Sequence, residues 1–87
     1  MTTTLFIDIL GWIGGALILG AYILLTAGKV DAKSARYQGM NFVGALGFIA
    51  NGYYYGALPS AALNVIWAGI AIFALSRILG RKPASPE

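Results

Sequence analysis

Three long apolar stretches, each with at most one charged residue, constrain the fold of this chain more than any other feature. They run from about Leu5 to Ala27, from Tyr37 to Tyr55 and from Ser60 to Leu79. A helix of about 20 mostly apolar residues can cross a bilayer core about 30 Å thick, and it satisfies its own backbone hydrogen bonds. The sequence therefore predicts an all-α membrane protein, with a three-transmembrane-helix bundle over residues 1–80.

The second stretch is the least apolar of the three, because Asn41, Asn51, Gly44, Gly47 and Gly52 dilute it. On composition alone it could be a re-entrant segment, which enters and leaves the membrane on the same side. An even number of crossings would place the charged first linker and the charged tail on opposite sides, so a full crossing is favoured.

Charged residues make up only 10% of the chain, whereas a soluble domain has about 25%.

The basic residues lie in two segments, the linker after the first stretch and the C-terminal end. They are Lys29, Lys33, Arg36, Arg77, Arg81 and Lys82. Because cytoplasmic loops carry an excess of Lys and Arg, we predict that both segments are cytoplasmic and that the N-terminus and the turn at Pro59 are outside. Residues 81–87 are predicted to form a short disordered cytoplasmic tail. The net charge of +3 thus indicates topology, and we expect no nucleic acid partner.

The chain lacks the residues on which most enzyme chemistry depends. It contains no Cys and no His, and only three acidic residues. Without these residues there is no thiolate, no usual general base and no common transition-metal ligand. We therefore expect no enzyme activity, no metal site and no cofactor.

Glycines recur on the predicted helix faces at spacings that let two backbones approach closely. The glycines assigned to helix packing are Gly11, Gly15, Gly44 and Gly47. A further pair with GxxxG spacing, Gly52 and Gly56, follows at the end of the second helix. At about 100° per residue these small residues form one stripe on each helix, backed by large aliphatic side chains.

Five polar or aromatic side chains lie on the same faces and are the candidates for substrate binding. They are Asn64, Asn51, Trp67, Tyr22 and Asn41. A carboxamide that faces lipid without a partner is costly, so we expect the three asparagines to point inward. Asn51 and Asn64 flank the outer turn, where they could hydrogen-bond a small polar solute or tie the second helix to the third.

The outer end of the predicted bundle carries one acid and several aromatic side chains. Asp8 could be a functional acid within the membrane, but its place near the start of the first helix favours an interfacial carboxylate. Trp12 could anchor the helix at the interface, and the run Tyr53–Tyr55 lies where an outer aromatic belt is expected.

The order of these features resembles the SemiSWEET sugar transporters of the PQ-loop superfamily. The resemblance rests on "KSARY" in the first linker, "YYYG" at the end of the second helix and "ALPSAALNVIW" in the third, and it covers about Gly11 to Leu79. It implies a half-transporter-like unit that dimerises to six helices, with a sugar pocket on the dimer axis and Asn64 as the pocket asparagine.

The chain departs from the SemiSWEET pattern at two places. The Pro-Gln pair of the first helix is absent, and Ala21 and Tyr22 lie at about that position. The pocket tryptophan of the second helix is replaced by Gly52, beside Asn51. A helix without proline bends less readily, and a pocket without that tryptophan has no aromatic face there for a sugar ring.

The full pattern from "GWIG" to "NVIW" is closer to a group of short bacterial membrane proteins, and a small membrane domain that precedes some lipid-A-disaccharide synthases is similar. These resemblances imply a bacterial inner membrane protein, in contact with the lipid bilayer, that need not carry a sugar. One hypothesis is a homodimer that lets a small polar solute such as a sugar pass. The alternative is a non-transporting accessory or scaffold subunit of a larger membrane complex, and a holin is a third possibility.

Overall fold

A computed structural model of the chain describes residues 2–80 and shows three helices. Helix α1 is Thr3–Thr26, α2 is Ala35–Tyr54 and α3 is Leu58–Gly80. The predicted all-α three-helix bundle is confirmed. The predicted disordered tail, residues 81–87, lies outside the described residues.

Each helix begins two residues before the start that hydropathy predicts, because polar caps and a proline extend it. The Thr2 side chain accepts a hydrogen bond from the Leu5 amide at 3.0 Å, and the Ser34 side chain accepts one from Tyr37 at 3.1 Å. Such caps satisfy amides of the first turn that have no partner within the helix. Pro59 lies in the first turn of α3, where its missing N–H costs no hydrogen bond.

A glycine with a left-handed backbone lies two residues beyond the end of α1 and of α2. Gly28 has φ 76° and Gly56 has φ 73°. After α2, the Ala57 amide donates to the Gly52 carbonyl at 2.8 Å, which is the long hydrogen bond of a Schellman motif. Gly56 therefore belongs to the turn that ends α2. The expectation that Gly52 and Gly56 form a packing pair is wrong for Gly56, because a Cβ atom added there would meet no atom within 4 Å.

Helix α2 lies between the other two helices. It packs against both α1 and α3, whereas the backbones of α1 and α3 do not approach each other within the described residues. The buried residues are nearly all Gly or Ala. They are Gly14, Ala21, Asn41, Gly44, Ala45, Gly52, Ala61, Ala68 and Ala71. No large side chain in residues 2–80 is fully buried.

The large apolar side chains therefore point outward from a core of small residues. Trp12, for example, is 82% exposed. Two helices, Thr3–Thr26 and Leu58–Leu79, are long and apolar enough to cross a membrane, and few of their residues are buried in the bundle. Helix α2, the third predicted crossing, is not one of these candidates, because its asparagines and glycines lower its hydropathy. Soluble monomers rarely expose so much continuous apolar surface.

The α1–α2 contact is built from three glycines. A Cβ atom at Gly47 would lie 2.5 Å from the Leu10 carbonyl oxygen, and one at Gly44 would lie 2.8 Å from that of Gly14. Gly14 is the buried glycine of α1, between the two glycines that the GxxxG spacing singles out. At Gly14 and Gly47 the obstructing atoms are all backbone, so no side chain fits there without moving a helix.

Candidate functional site

Two grooves lie side by side on the bundle and share the ring of Phe48. The first, here called the Asp8 groove, has a volume of about 300 Å³ and is lined by Asp8, Gly11, Trp12, Gly15, Phe48 and Asn51. The second, the Asn64 groove, has a volume of about 260 Å³ and is lined by Ile18, Phe48, Ser60, Leu63, Asn64 and Trp67. Both are open to the outside of the chain, so neither forms a closed cavity within one copy.

The Asn64 groove brings together two of the predicted substrate-binding residues, Asn64 and Trp67, which are three positions apart on α3. The half-buried Asn64 side chain donates from Nδ2 to the Ser60 carbonyl of its own helix at 3.0 Å. Its Oδ1 atom has no hydrogen-bond partner in residues 2–80. Asn64 therefore lines the groove with one acceptor unbonded and makes no bond to another helix in the described residues.

Asn41 is the polar residue of the core, with 4% of its surface exposed. Its Nδ2 donates to the Tyr37 carbonyl at 2.8 Å, and its Oδ1 accepts from the indole Nε1 of Trp67 at 3.2 Å. Asn41 thus ties α2 to α3 and holds the Trp67 indole, and Trp67 also lines the Asn64 groove.

Asn51 faces α1 instead of α3. Its Nδ2 donates to the carbonyl oxygen of Ile7 at 3.1 Å. The hypothesis that Asn51 and Asn64 tie the second helix to the third is wrong, because these two side chains are bonded elsewhere. The hydrogen bond between Asn41 and Trp67 makes that link instead.

The tyrosine run at the end of α2 divides into one exposed and two bonded side chains. Tyr53 is 75% exposed, as an aromatic belt residue would be. The Tyr54 hydroxyl lies 2.8 Å from Oγ1 of Thr4, and the Tyr55 hydroxyl donates to Oδ1 of Asp8. The hydrogen bond to Asp8 raises the pKa of Tyr55, which follows the last residue of α2, so its hydroxyl remains a donor.

The remaining predicted residues lie in different surroundings. Tyr22 is 61% exposed and lies outside both grooves. A Cβ at Gly11 would lie 2.6 Å from Nδ2 of Asn51, and one at Gly15 would lie 3.4 Å from the Phe48 ring. These two glycines therefore border the Asp8 groove, while Gly44 and Gly47 form the contact between α1 and α2.

Two residues that matter to this site were not singled out in the sequence. Phe48 joins the grooves, but an aromatic residue in an apolar stretch has no feature that separates a lining role from a lipid-facing one. Gly14 is the buried glycine of α1, and a Cβ there would lie 2.6 Å from the Gly44 carbonyl oxygen. The double glycine Gly14–Gly15 signals a crowded contact, but it does not say which of the two glycines faces α2.

Comparison with known proteins identifies one family, whose model matches residues 7–82. The chain belongs to that family, and the match extends over all three helices. No curated protein and no solved structure matches the chain. The comparison gives no match to the SemiSWEET or other PQ-loop proteins.

Proposed function

We propose that this member of the family is an integral membrane protein with three crossings, and that two copies pair to let a small polar solute pass along the Asn64 grooves. Membrane residence is supported by the core of Gly and Ala and the outward-facing Leu, Ile and Trp side chains. In water, exposure of so much apolar surface would be unfavourable, and the chain would aggregate or fold so as to bury it. In lipid, close contact between small residues is the ordinary way for helices to pack.

A third crossing by α2 is supported by the way its polar groups are bonded. Asn41 and Asn51 both donate to carbonyl oxygens, and Asn41 also accepts from Trp67. Because α2 lies between α1 and α3, the side-chain amide N–H groups of both asparagines find acceptors within the bundle. At about 1.5 Å per residue, its 20 residues are long enough to span the apolar core.

The predicted orientation can be tested with single cysteines, since the natural chain has none. Cys at Ala57, in the turn before α3, is expected to react with a membrane-impermeant thiol reagent added to whole cells. Cys at Ala32, in the basic linker, is expected to react only after the cells are opened. Both residues are exposed and neither uses its side chain in a cap. Labelling of Ala32→Cys alone on intact cells would show that the orientation is the reverse of the predicted one. Labelling of both variants would show that α2 does not cross the membrane.

A solute role for Asn64 is carried by a single observation. Of the three asparagines, Asn64 alone makes no bond to a neighbouring helix in the described residues. Its Oδ1 has no partner there, and the residue lines an open groove. An unpartnered amide oxygen in lipid would be costly. A hydrated cavity between two copies would remove that cost, because water or the hydroxyl groups of a solute could donate to it. The nearby Trp67 ring offers an apolar face of the kind on which sugar rings stack.

Asn64→Ala is expected to leave assembly and thermal stability nearly unchanged and to abolish uptake of the carried solute in liposomes. Uptake is measured with a panel of small sugars and polyols, and the melting temperature of each variant is recorded beside it. The matched control is Asn51→Ala, which removes a carboxamide that is bonded between helices and should lower stability. A parent protein that moves none of these solutes, together with an Asn64→Ala variant of much lower stability, would end the transport hypothesis.

The alternative, an accessory or scaffold subunit, is favoured by the openness of both grooves and by the large exposed side chains of α1 and α3. Helices of a larger complex could cover these surfaces as well as a second copy could. Crosslinking in native membranes distinguishes the two. A product of twice the chain mass supports the homodimer, and a product that always contains a larger protein supports the subunit.

A further inference from the structure

We propose that the Asp8 groove binds an ammonium group, carried either by a small organic cation or by a lipid headgroup. This site is separate from the Asn64 groove except for the shared Phe48 ring. The proposal holds whether or not the chain transports a solute, because it concerns binding alone.

The groove is formed by the spacing of four residues along α1. Asp8, Gly11, Trp12 and Gly15 lie at positions i, i+3, i+4 and i+7, so they share one face of the helix. Because the two glycines lack side chains, Asn51 of α2 approaches Gly11 and the Phe48 ring approaches Gly15. Phe48 and Asn51 thus line the groove together with Asp8 and Trp12.

The polar atoms available in the groove are chiefly acceptors. One oxygen of Asp8 accepts from the Tyr55 hydroxyl, and the other has no partner in the part of the chain that the structure describes. Asn51 uses Nδ2 to bond Ile7, and its Oδ1 has no partner in the same residues. Two free acceptors, one of them on a carboxylate, fit a ligand that carries positive charge, and a primary ammonium group could also donate hydrogen bonds to them.

No positive charge of the chain's own is close enough to neutralise Asp8 within residues 2–80. Asp8 lies near the start of α1, whereas Lys29 follows its far end. At about 1.5 Å per residue this separation is about 30 Å, well beyond the range of an ion pair. Among residues 2–80 the half-buried carboxylate therefore has no counter-charge, which a bound cation would supply.

The indole of Trp12 adds a second feature that favours a cation. Trp12 is 82% exposed, so its ring face is not covered by the rest of the chain. An ammonium group over a tryptophan face gains about 0.5 to 2 kcal/mol, depending on how far it is removed from water. A carboxylate and an indole on adjacent turns of one helix thus favour a cation over a neutral solute of the same shape.

The test is isothermal titration of the full chain in maltoside micelles with choline, with ethanolamine and with the neutral dimethylbutanol isostere of choline. The two cations are expected to bind and the isostere is not. Absence of binding by both cations, or equal affinity for choline and its isostere, would overturn the proposal.

Four variants assign the binding to the groove. Asp8→Asn should weaken choline binding about tenfold, since it removes the charge and keeps the shape. Trp12→Leu should weaken it about threefold. Tyr55→Phe removes the hydrogen bond to Asp8 but leaves its charge, and should bind at least as tightly as the parent. Asp31→Asn, in the first linker, is the matched control and should bind like the parent. Equal affinity of Asp8→Asn and Asp31→Asn would show that the site lies elsewhere.

The same titration separates the two sources of the ammonium group. With phosphatidylethanolamine added to the micelles, a headgroup that occupies the groove would weaken choline binding, whereas phosphatidylglycerol would not. Equal choline affinity with either lipid would assign the groove to a free cation. Both results support an ammonium site, and the lipid effect must disappear in Asp8→Asn.

Discussion

Gly47→Ala is expected to be the most damaging small substitution in the chain, lowering the free energy of unfolding by about 1 to 3 kcal/mol. The new Cβ would lie 2.5 Å from the Leu10 carbonyl oxygen and 3.2 Å from Cα of Gly14. Both obstructing atoms belong to the backbone, so α1 must move away from α2 as a unit. The melting temperature of the purified protein in detergent, followed by circular dichroism, measures the effect.

The matched control for this prediction is Gly69→Ala on α3. A Cβ at Gly69 would meet no atom within 4 Å. Alanine is favoured over glycine within a helix by about 1 kcal/mol, so this variant should melt at the parent temperature or above it. If Gly47→Ala is as stable as Gly69→Ala, then α1 and α2 do not meet at these glycines.

Asn41→Ala is expected to cost about 1 to 3 kcal/mol, because it leaves the Trp67 indole N–H without its partner. Asn41 is the one polar side chain of the described core, and its oxygen accepts that N–H at 3.2 Å. The measurement is the melting temperature of Asn41→Ala, of Trp67→Phe and of the double variant. Since Phe carries no N–H, the double variant should be less destabilised than the sum of the single variants.

Asn64→Ala serves as the comparison for this double-variant cycle. It removes a carboxamide from the same pair of helices but breaks only a bond within α3. A stability loss for Asn64→Ala as large as that for Asn41→Ala would contradict the separate roles assigned to the two asparagines. If the stability losses of Asn41→Ala and Trp67→Phe are strictly additive, the hydrogen bond between the two side chains does not contribute to stability.

The number of helices could be predicted because it depends on local hydropathy, which the three apolar stretches carry directly. The first residue of each helix was less predictable. Thr2 and Ser34 are polar, so the apolar stretch by which hydropathy recognises a helix begins only after them. A cap acts through one side-chain hydrogen bond, and that bond does not change the mean hydropathy of the stretch that follows.

The partners of the asparagines could not be predicted from the sequence. The expectation that Asn41, Asn51 and Asn64 point inward follows from the cost of an unpaired carboxamide, but the partner of each depends on how its helix is rotated. Asn51 donates to the backbone oxygen of Ile7. Because every residue has such an oxygen, the residue type at the acceptor position gives no signal that could be recognised in the sequence. The shared groove of Asn64 and Trp67 was predictable, because their spacing places them on one face of a single helix.

The central position of α2 has a consequence for the biogenesis of the chain. Every helix contact joins neighbours in sequence, α1 with α2 and α2 with α3, so assembly can follow the order of synthesis. The first hairpin can close on Gly47 and on the bond from Asn51 to Ile7 before α3 leaves the ribosome. The oxygen of Asn41 gains its indole donor only when Trp67 arrives. We therefore expect α2, the least apolar helix, to be held in the bilayer first by α1 and to be completed by α3.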